Sequence, residues 1–304
     1  MSLALIFPGQ GSQFVGMGRD FYERSRRARR VFDEAEEILS LPLRKLCFEG
    51  PEGELRKTEN LQPSIFTVSL SILEALKEMG FYEEPVYVAG HSLGEYTALV
   101  ASGSLSFEEG IRLVRERGKL MAEAGRMKPG GMAAIIGLDM KTLREICDET
   151  GAEIANINSP DQIVISGDRK TLAISMDLAR ARGAKRVIKL DVDGAFHSSL
   201  MEPAVEGLKE VTKDVEIKRA SVPLVANTSA CPIKEPPEIK EELVKQVRCC
   251  VRWKECVEFM LKENIDSFIE VGPGKVLSGM LRRMSPSVRT ISINSTKDVS
   301  SLRI

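Results

Sequence analysis

The chain has 304 residues, 43% hydrophobic and 29% charged, enough to bury a large core in about two domains and too apolar for a disordered or fibrous protein. Forty-three basic residues against forty-four acidic ones leave a net charge of −1, which excludes an overall field drawing the chain to nucleic acid or an anionic membrane. No stretch approaches the roughly 18 apolar residues of a spanning helix, and MSLALIFPGQ lacks the basic lead of a signal peptide, so a soluble, cytoplasmic protein is expected.

The first apolar run, LALIFPG, reads as a strand ended by Pro8-Gly9. The loop after it, FPGQGSQFVGMG, fails both nucleotide fingerprints: position 14 is Phe where G-x-G-x-x-G needs glycine, and no Lys-Ser/Thr follows Gly16. It is expected to be a tight turn whose backbone N–H groups could complete an oxyanion hole. RSRRARRVFDEAEE (24–37) has the spacing of a solvated helix with i,i+4 pairs Arg29–Asp33 and Arg30–Glu34, a docking patch for an acidic partner being the alternative. PSIFTVSLSILEALKEMG then reads as a helix ended by Gly80, and VYVAG as a short buried strand. This alternation predicts an α/β fold with a helix-covered parallel sheet.

From Met127 to Gly194 the pattern changes. GGMAAIIGL is strand-like, MKTLREICDETG helical, AEIANINSPDQIVISG a hairpin turning at Ser159-Pro160-Asp161, RKTLAISMDLARARG helical and AKRVIKLDV a strand. The order β-α-β-β-α-β is that of a ferredoxin-like unit. It predicts a subdomain, 127–194, inserted into a larger domain made of 1–126 and 195–304. Beyond it, IKEPPEI reads as a surface connection, EIKEELVKQV and RWKECVEFMLKEN as helices, and SFIEVG as a strand. GPGKVLSG is no P-loop, because Val276 follows Lys275, and reads as a turn opening a helix.

Within VYVAGHSLGEYTALVASG, Gly90, Ser92 and Gly94 fit G-x-S-x-G between a strand and a helix. Small neighbours allow the sharp turn that would stand the serine oxygen above the sheet, with the N–H of Leu93 offered to a developing oxyanion; a structural tight turn is the alternative. A serine nucleophile needs a base, and the chain has two histidines. His91 adjoins Ser92 and its side chain should diverge from it, which leaves His197 in DGAFHSSLM. Asp191, Asp193 or a backbone carbonyl could orient the imidazole, and spacing alone assigns none of them.

In FEEGIRLVRERGKLMAEA, Leu113, Val114, Leu120 and Met121 surround Arg117 at helical spacing, so Arg117 lies on the apolar face. Its partner should be either a buried carboxylate of the protein or an anionic ligand. The six cysteines contain no C-x-x-C pair, which predicts reduced, structural thiols and no metal site.

Taken together, FPGQGSQFVGMG, TENLQPSIFTVSL, AGHSLGEYTALVASG, RERGKLM, INSPDQIVISG, GAFHSSLM and EVGPGKVL resemble, in order along nearly the whole chain, the malonyl-CoA:acyl carrier protein transacylases and the acyltransferase domains of polyketide synthases. The resemblance implies an α/β-hydrolase-like large domain with the inserted ferredoxin-like one. It implies Ser92 as acylated nucleophile, His197 as its base, and the Gln246 main-chain carbonyl as the imidazole's orienter. It further implies Arg117 on the free carboxylate of malonyl, the N–H groups of Gln10 and Leu93 as oxyanion hole, and Phe196 beside the acyl group. One departure is Ala195, where bacterial stand-alone enzymes often carry proline; the wording is closer to the HAFH of malonyl-selective polyketide domains. The expected partners are malonyl-CoA and acyl carrier protein, with no nucleic acid, membrane, metal or cofactor beyond the CoA thioester substrate, and the expected state is a monomer. A serine hydrolase and a non-catalytic carrier-binding module are the rival readings.

Overall fold

In the computed structural model, which describes residues 2–81 and 83–302, ten strands form two sheets. In chain order they are β1 (Leu3–Phe7), β2 (Tyr87–Gly90), β3 (Gly130–Ile136), β4 (Glu153–Ser159), β5 (Gln162–Asp168), β6 (Arg186–Lys189), β7 (Leu224–Val225), β8 (Pro232–Ile233), β9 (Ser267–Val271) and β10 (Arg289–Ile293). The larger sheet has the order β10-β9-β1-β2-β7-β8, parallel except for the β7–β8 edge pair.

β1 is apolar throughout because both of its faces are covered. Leu3, Leu5 and Phe7 join a core with the long helices Thr58–Glu78 and Phe107–Met127, while Ala4 and Ile6 pack with Trp253, Cys256 and Leu277 on the other side. The register Phe7↔Gly90 and Ile6↔Glu270 brings the carboxyl ends of the central strands to one edge, where parallel sheets place their ligands.

The smaller sheet, β4-β5-β3-β6, is antiparallel. Strand alternation divides its faces: Ala133 and Ile135 pack on the helices Met140–Thr150 and Arg169–Ala181, while Met132, Ala134 and Val164 turn toward the main core. β4 is also tied to the larger unit, since Ile157 N–H donates to Val251 O at 2.9 Å and Val251 N–H to Ala155 O at 2.8 Å.

Three local expectations are corrected. The helix expected from Pro63 starts at Thr58, with Pro63 inside it. Proline cannot donate to the carbonyl four residues back, that of Glu59; Arg115 donates to this oxygen instead, and Asp193 accepts the N–H of Thr58 at 3.1 Å. The pairs Arg29–Asp33 and Arg30–Glu34 do not form among the described residues: Arg44 takes Asp33 at 3.2 Å, and Arg29 lies 5.3 Å from the Tyr22 ring centroid. Part of IKEPPEI is helical, because Pro236 opens the helix Pro236–Lys245 under a Glu235/Glu238 capping box. All six cysteines are free thiols, and among the described residues no helix is long and apolar enough to cross a membrane.

Candidate active site

The turn after β2 is shaped by glycines that no other residue could replace without moving backbone. A Cβ on Gly90 would stand 1.9 Å from the carbonyl carbon of Gly94, and one on Gly94 would stand 2.1 Å from Phe7 O. The adjoining loop is as close, with a Gly9 Cβ falling 2.3 Å from His91 O. Between these contacts Ser92 takes φ 51°, the left-handed region that non-glycine residues occupy at a cost of about 1–2 kcal/mol.

Two side-chain amides hold that strained residue. Asn227 Oδ1 accepts the Ser92 N–H at 2.7 Å while its Nδ2 donates to Gly90 O at 2.7 Å. Gln246 Nε2 donates to Ser92 O at 2.8 Å. Both residues rest on Glu95, which is fully buried: its side chain accepts from the main-chain N–H of Asn227 and from Gln246 Nε2, each at 2.5 Å. Burial, reinforced by nearby Glu242, pushes the Glu95 pKa well above the usual carboxylate range, against the pull of those two donors.

Ser92 Oγ lies 2.9 Å from His197 Nε2. The other ring nitrogen faces only acceptors, Gln246 O at 2.9 Å and Cys249 O at 3.2 Å, so Nδ1 carries the proton and the lone pair of Nε2 points at the serine. His197 is itself in the left-handed region, φ 57°, and its N–H donates to Val247 O at 3.1 Å. Burial, and then the Arg117 cation, lower its pKa to about 3, so the imidazole is neutral at physiological pH. His91 turns away: its Nε2 meets Asn158 Oδ1 at 2.8 Å, and its ring packs on Trp253.

Arg117 is 1% exposed and reaches into the same space. Nη1 donates to Gln62 Oε1 at 2.8 Å, and Nη2 to Gln246 Oε1 at 2.8 Å and to Ser92 Oγ at 3.0 Å. Among the described residues its Nε has no acceptor and no carboxylate forms an ion pair with it. Of the two partners expected for Arg117, the buried carboxylate of the protein is therefore not in contact.

These groups line one cavity of about 230 Å³, to which Gln10, Leu93 and Phe196 also contribute. Among the described residues no acceptor meets the N–H of Gln10 or Leu93. Across from Ser92 the wall is Met132, Ala134 and Val164 of the smaller sheet. Phe196 is fixed there because Ser166 of β5 donates to its carbonyl at 2.7 Å. Asp191 and Asp193, weighed as orienters of His197, bond instead to Arg56 at 2.5 Å and to Thr58 Oγ1 at 2.9 Å.

Sequence reasoning missed Gln62, Glu95, Asn227 and the side chain of Gln246. One signal was available, since Glu95 stands in GEYTALVA, a helix otherwise apolar nearly all round.

Comparison with known proteins places this geometry. The family description "Acyl transferase domain" matches residues 4–301. The malonyl CoA-acyl carrier protein transacylase of Bacillus subtilis (strain 168) is 46% identical over 302 residues, covering 98% of this chain and 95% of the relative. The crystal structure of the acyl-carrier-protein-S-malonyltransferase from Bartonella henselae superposes with a TM-score of 0.96 at 39% identity, covering 99% of this chain and 98% of that one. A type II PKS acyl-carrier protein in complex with its malonyl-transacylase is similar to the same degree, TM-score 0.96 at 37% identity with 99% and 98% covered. With the match running nearly end to end in both sequence and fold, the chain belongs to the acyl transferase family, and within it to the malonyl CoA-acyl carrier protein transacylases.

Proposed function

We propose that this protein moves a malonyl group from malonyl-CoA to the phosphopantetheine thiol of an acyl carrier protein, by way of a malonyl ester on Ser92, and so supplies fatty acid synthesis. As His197 Nε2 takes the serine proton, Ser92 Oγ attacks the thioester carbon, and the resulting oxyanion is received by the N–H groups of Gln10 and Leu93. Collapse breaks the carbon–sulfur bond, and His197 returns its proton to the departing CoA thiolate. In the second half the carrier thiol gives its proton to His197 and its sulfur attacks the acyl ester; His197 then reprotonates Ser92. The Gln246 carbonyl keeps the imidazole in the required tautomer throughout.

The observation that carries this reading is Arg117, a buried cation 3.0 Å from the nucleophile and, among the described residues, without a carboxylate partner. Its planar fork suits the free carboxylate of malonyl, whereas a hydrolase of neutral esters would have no reason to bury it. Phe196 lines the same cavity, and this reading gives it the role of limiting branching at the acyl α-carbon. The same reading takes the architecture as an α/β-hydrolase-like catalytic domain, 1–126 with 195–304, and a ferredoxin-like insert, 127–194. It takes the protein to act as a cytoplasmic monomer using no metal or redox cofactor.

Intact mass measurement after mixing with malonyl-CoA alone tests the proposal. A malonyl-sized adduct on Ser92 that persists, then leaves when carrier protein is added, is the expected result. Rapid loss to water would make the protein a hydrolase, and no adduct at all would make it a binding module.

A further inference from the structure

A buried guanidinium is ordinarily neutralised by a carboxylate. Arg117 is instead held by two amide oxygens, Gln62 Oε1 and Gln246 Oε1, both at 2.8 Å, with its face 5.2 Å from the Tyr96 ring centroid. The acid of this network, Glu95, stands one side chain further off, because Gln246 offers its oxygen to Arg117 and its nitrogen to Glu95. The orientation of that amide is determined by its neighbours. Its nitrogen faces Ser92 O, which can only accept, as well as a Glu95 oxygen, while its oxygen faces a nitrogen that can only donate. Gln62 is set in the same way, between Arg117 and the sulfur of Met121, which its Nε2 meets at 3.4 Å.

We propose that Gln62 and Gln246 are positioning residues that set the acyl selectivity by holding Arg117 in place without neutralising it. An amide oxygen satisfies an N–H but carries no net charge, so the full cation remains for an incoming carboxylate. A carboxylate at either position would make an equally good hydrogen bond, yet would confront the substrate with a like charge at the point of binding. Glu95 is kept off Arg117 by Gln246, which stands between them, and so does not compete for the cation. This inference rests on the reading that the transferred acyl group carries a free carboxylate.

The test compares Gln62→Glu, which keeps the acceptor and adds charge, with Gln62→Met, which removes the acceptor and adds none. Transfer of malonyl and of acetyl from their CoA esters is measured for wild type and both variants; acetyl transfer uses the same Ser92 and His197, so the ratio of kcat/KM isolates Arg117 from damage to the elbow. We expect Gln62→Glu to lower the malonyl-to-acetyl ratio about a hundredfold, mainly through KM for malonyl-CoA, and Gln62→Met to lower it less than about tenfold. If the amide matters only as an acceptor, the order reverses: Gln62→Glu stays near wild type and Gln62→Met is the damaged one, which overturns the inference. Should Gln62→Glu fail to fold, Gln62→Met carries the test alone: a fall in the malonyl-to-acetyl ratio of less than about tenfold is expected, and a larger fall overturns the inference. A wild type that transfers no malonyl would overturn the functional reading along with this one, whereas malonyl transfer with the reversed order overturns this one alone.

Discussion

The two walls of the acyl cavity are built differently. On the side of the larger sheet the groups are held by backbone: glycines in near contact, two residues at positive φ, and side-chain amides bonded to both peptide groups of Ser92. On the side of the smaller sheet the wall is made of side chains, Met132, Ala134 and Val164, projecting at alternate strand positions. Atoms held by backbone cannot shift to absorb a substitution, while a wall of apolar side chains can be recut one residue at a time. Chemistry should therefore fail abruptly on the first wall, and selectivity should drift on the second.

The comparison is tested most severely by Ser92→Ala. It should remove all acyl-enzyme, seen by intact mass, in a protein that still melts cooperatively, since among the described residues the lost hydroxyl bonds only to His197 and Arg117. Any residual malonyl transfer would refute the covalent route. His197→Ala should lower kcat/KM by roughly four to six powers of ten in both half-reactions, because one imidazole serves as base and then acid. His91→Ala, whose ring faces Asn158 and Trp253, should fall far less; equal damage in a folded His91 variant would reverse the assignment of the base.

Next comes Arg117→Ala, expected to cost roughly 3–5 kcal/mol, about two to three and a half powers of ten in kcat/KM for malonyl-CoA. Acetyl transfer should fall much less, and an equal fall for both substrates would make Arg117 purely structural. On the second wall, Phe196→Ser should raise the methylmalonyl-to-malonyl ratio severalfold, read by competition between the two CoA esters. An unchanged ratio would remove Phe196 from the account of specificity.

The smallest effect concerns pH. A base with a pKa near 3 in the folded protein stays neutral well below the ordinary histidine value, so kcat/KM for acylation should hold nearly level from pH ~8 to ~5. An acid limb centred near pH 6.5 would show His197 in a solvated setting. The linked stability has a definite sign: the unfolded chain takes up the His197 proton first, so this residue destabilises the fold as pH falls from about 6.5 toward 3. Glu95 acts in the opposite direction: its raised pKa favours the fold in acid, and that contribution is lost as pH rises through its folded value.

Much of the first wall was legible in the sequence, because its constraints are local. A strand, a glycine-flanked serine and a helix mark an elbow, and two histidines allow a base to be found by elimination. Arg117 betrayed itself by sitting amid Leu113, Val114, Leu120 and Met121. The supports of that wall were not legible, for a physical reason: Asn227 and Gln246 meet Ser92 across 135 and 154 positions of chain, and a polar residue in ANTSA or VKQV looks like any exposed one until the fold buries it. The start of the helix at Thr58 was hidden for the same reason, since Arg115, which meets the carbonyl that Pro63 leaves open, and Asp193, which accepts the N–H of Thr58, lie far along the chain. The side-chain wall came only through the resemblance, which supplied Phe196; Met132, Ala134 and Val164 read as ordinary strand residues.

The pair of main-chain bonds between β4 and Val251 has a mechanical consequence. Val251 lies just beyond Gln246 and Cys249, the residues whose carbonyls steady the imidazole. If the smaller sheet swung outward as a hinged flap, it would drag on that peptide and turn His197 off its line to Ser92. An excursion wide enough to flood the cavity with water would thus disarm the base in the same stroke, so an ester on the serine would be least reactive toward water when it is most exposed to it.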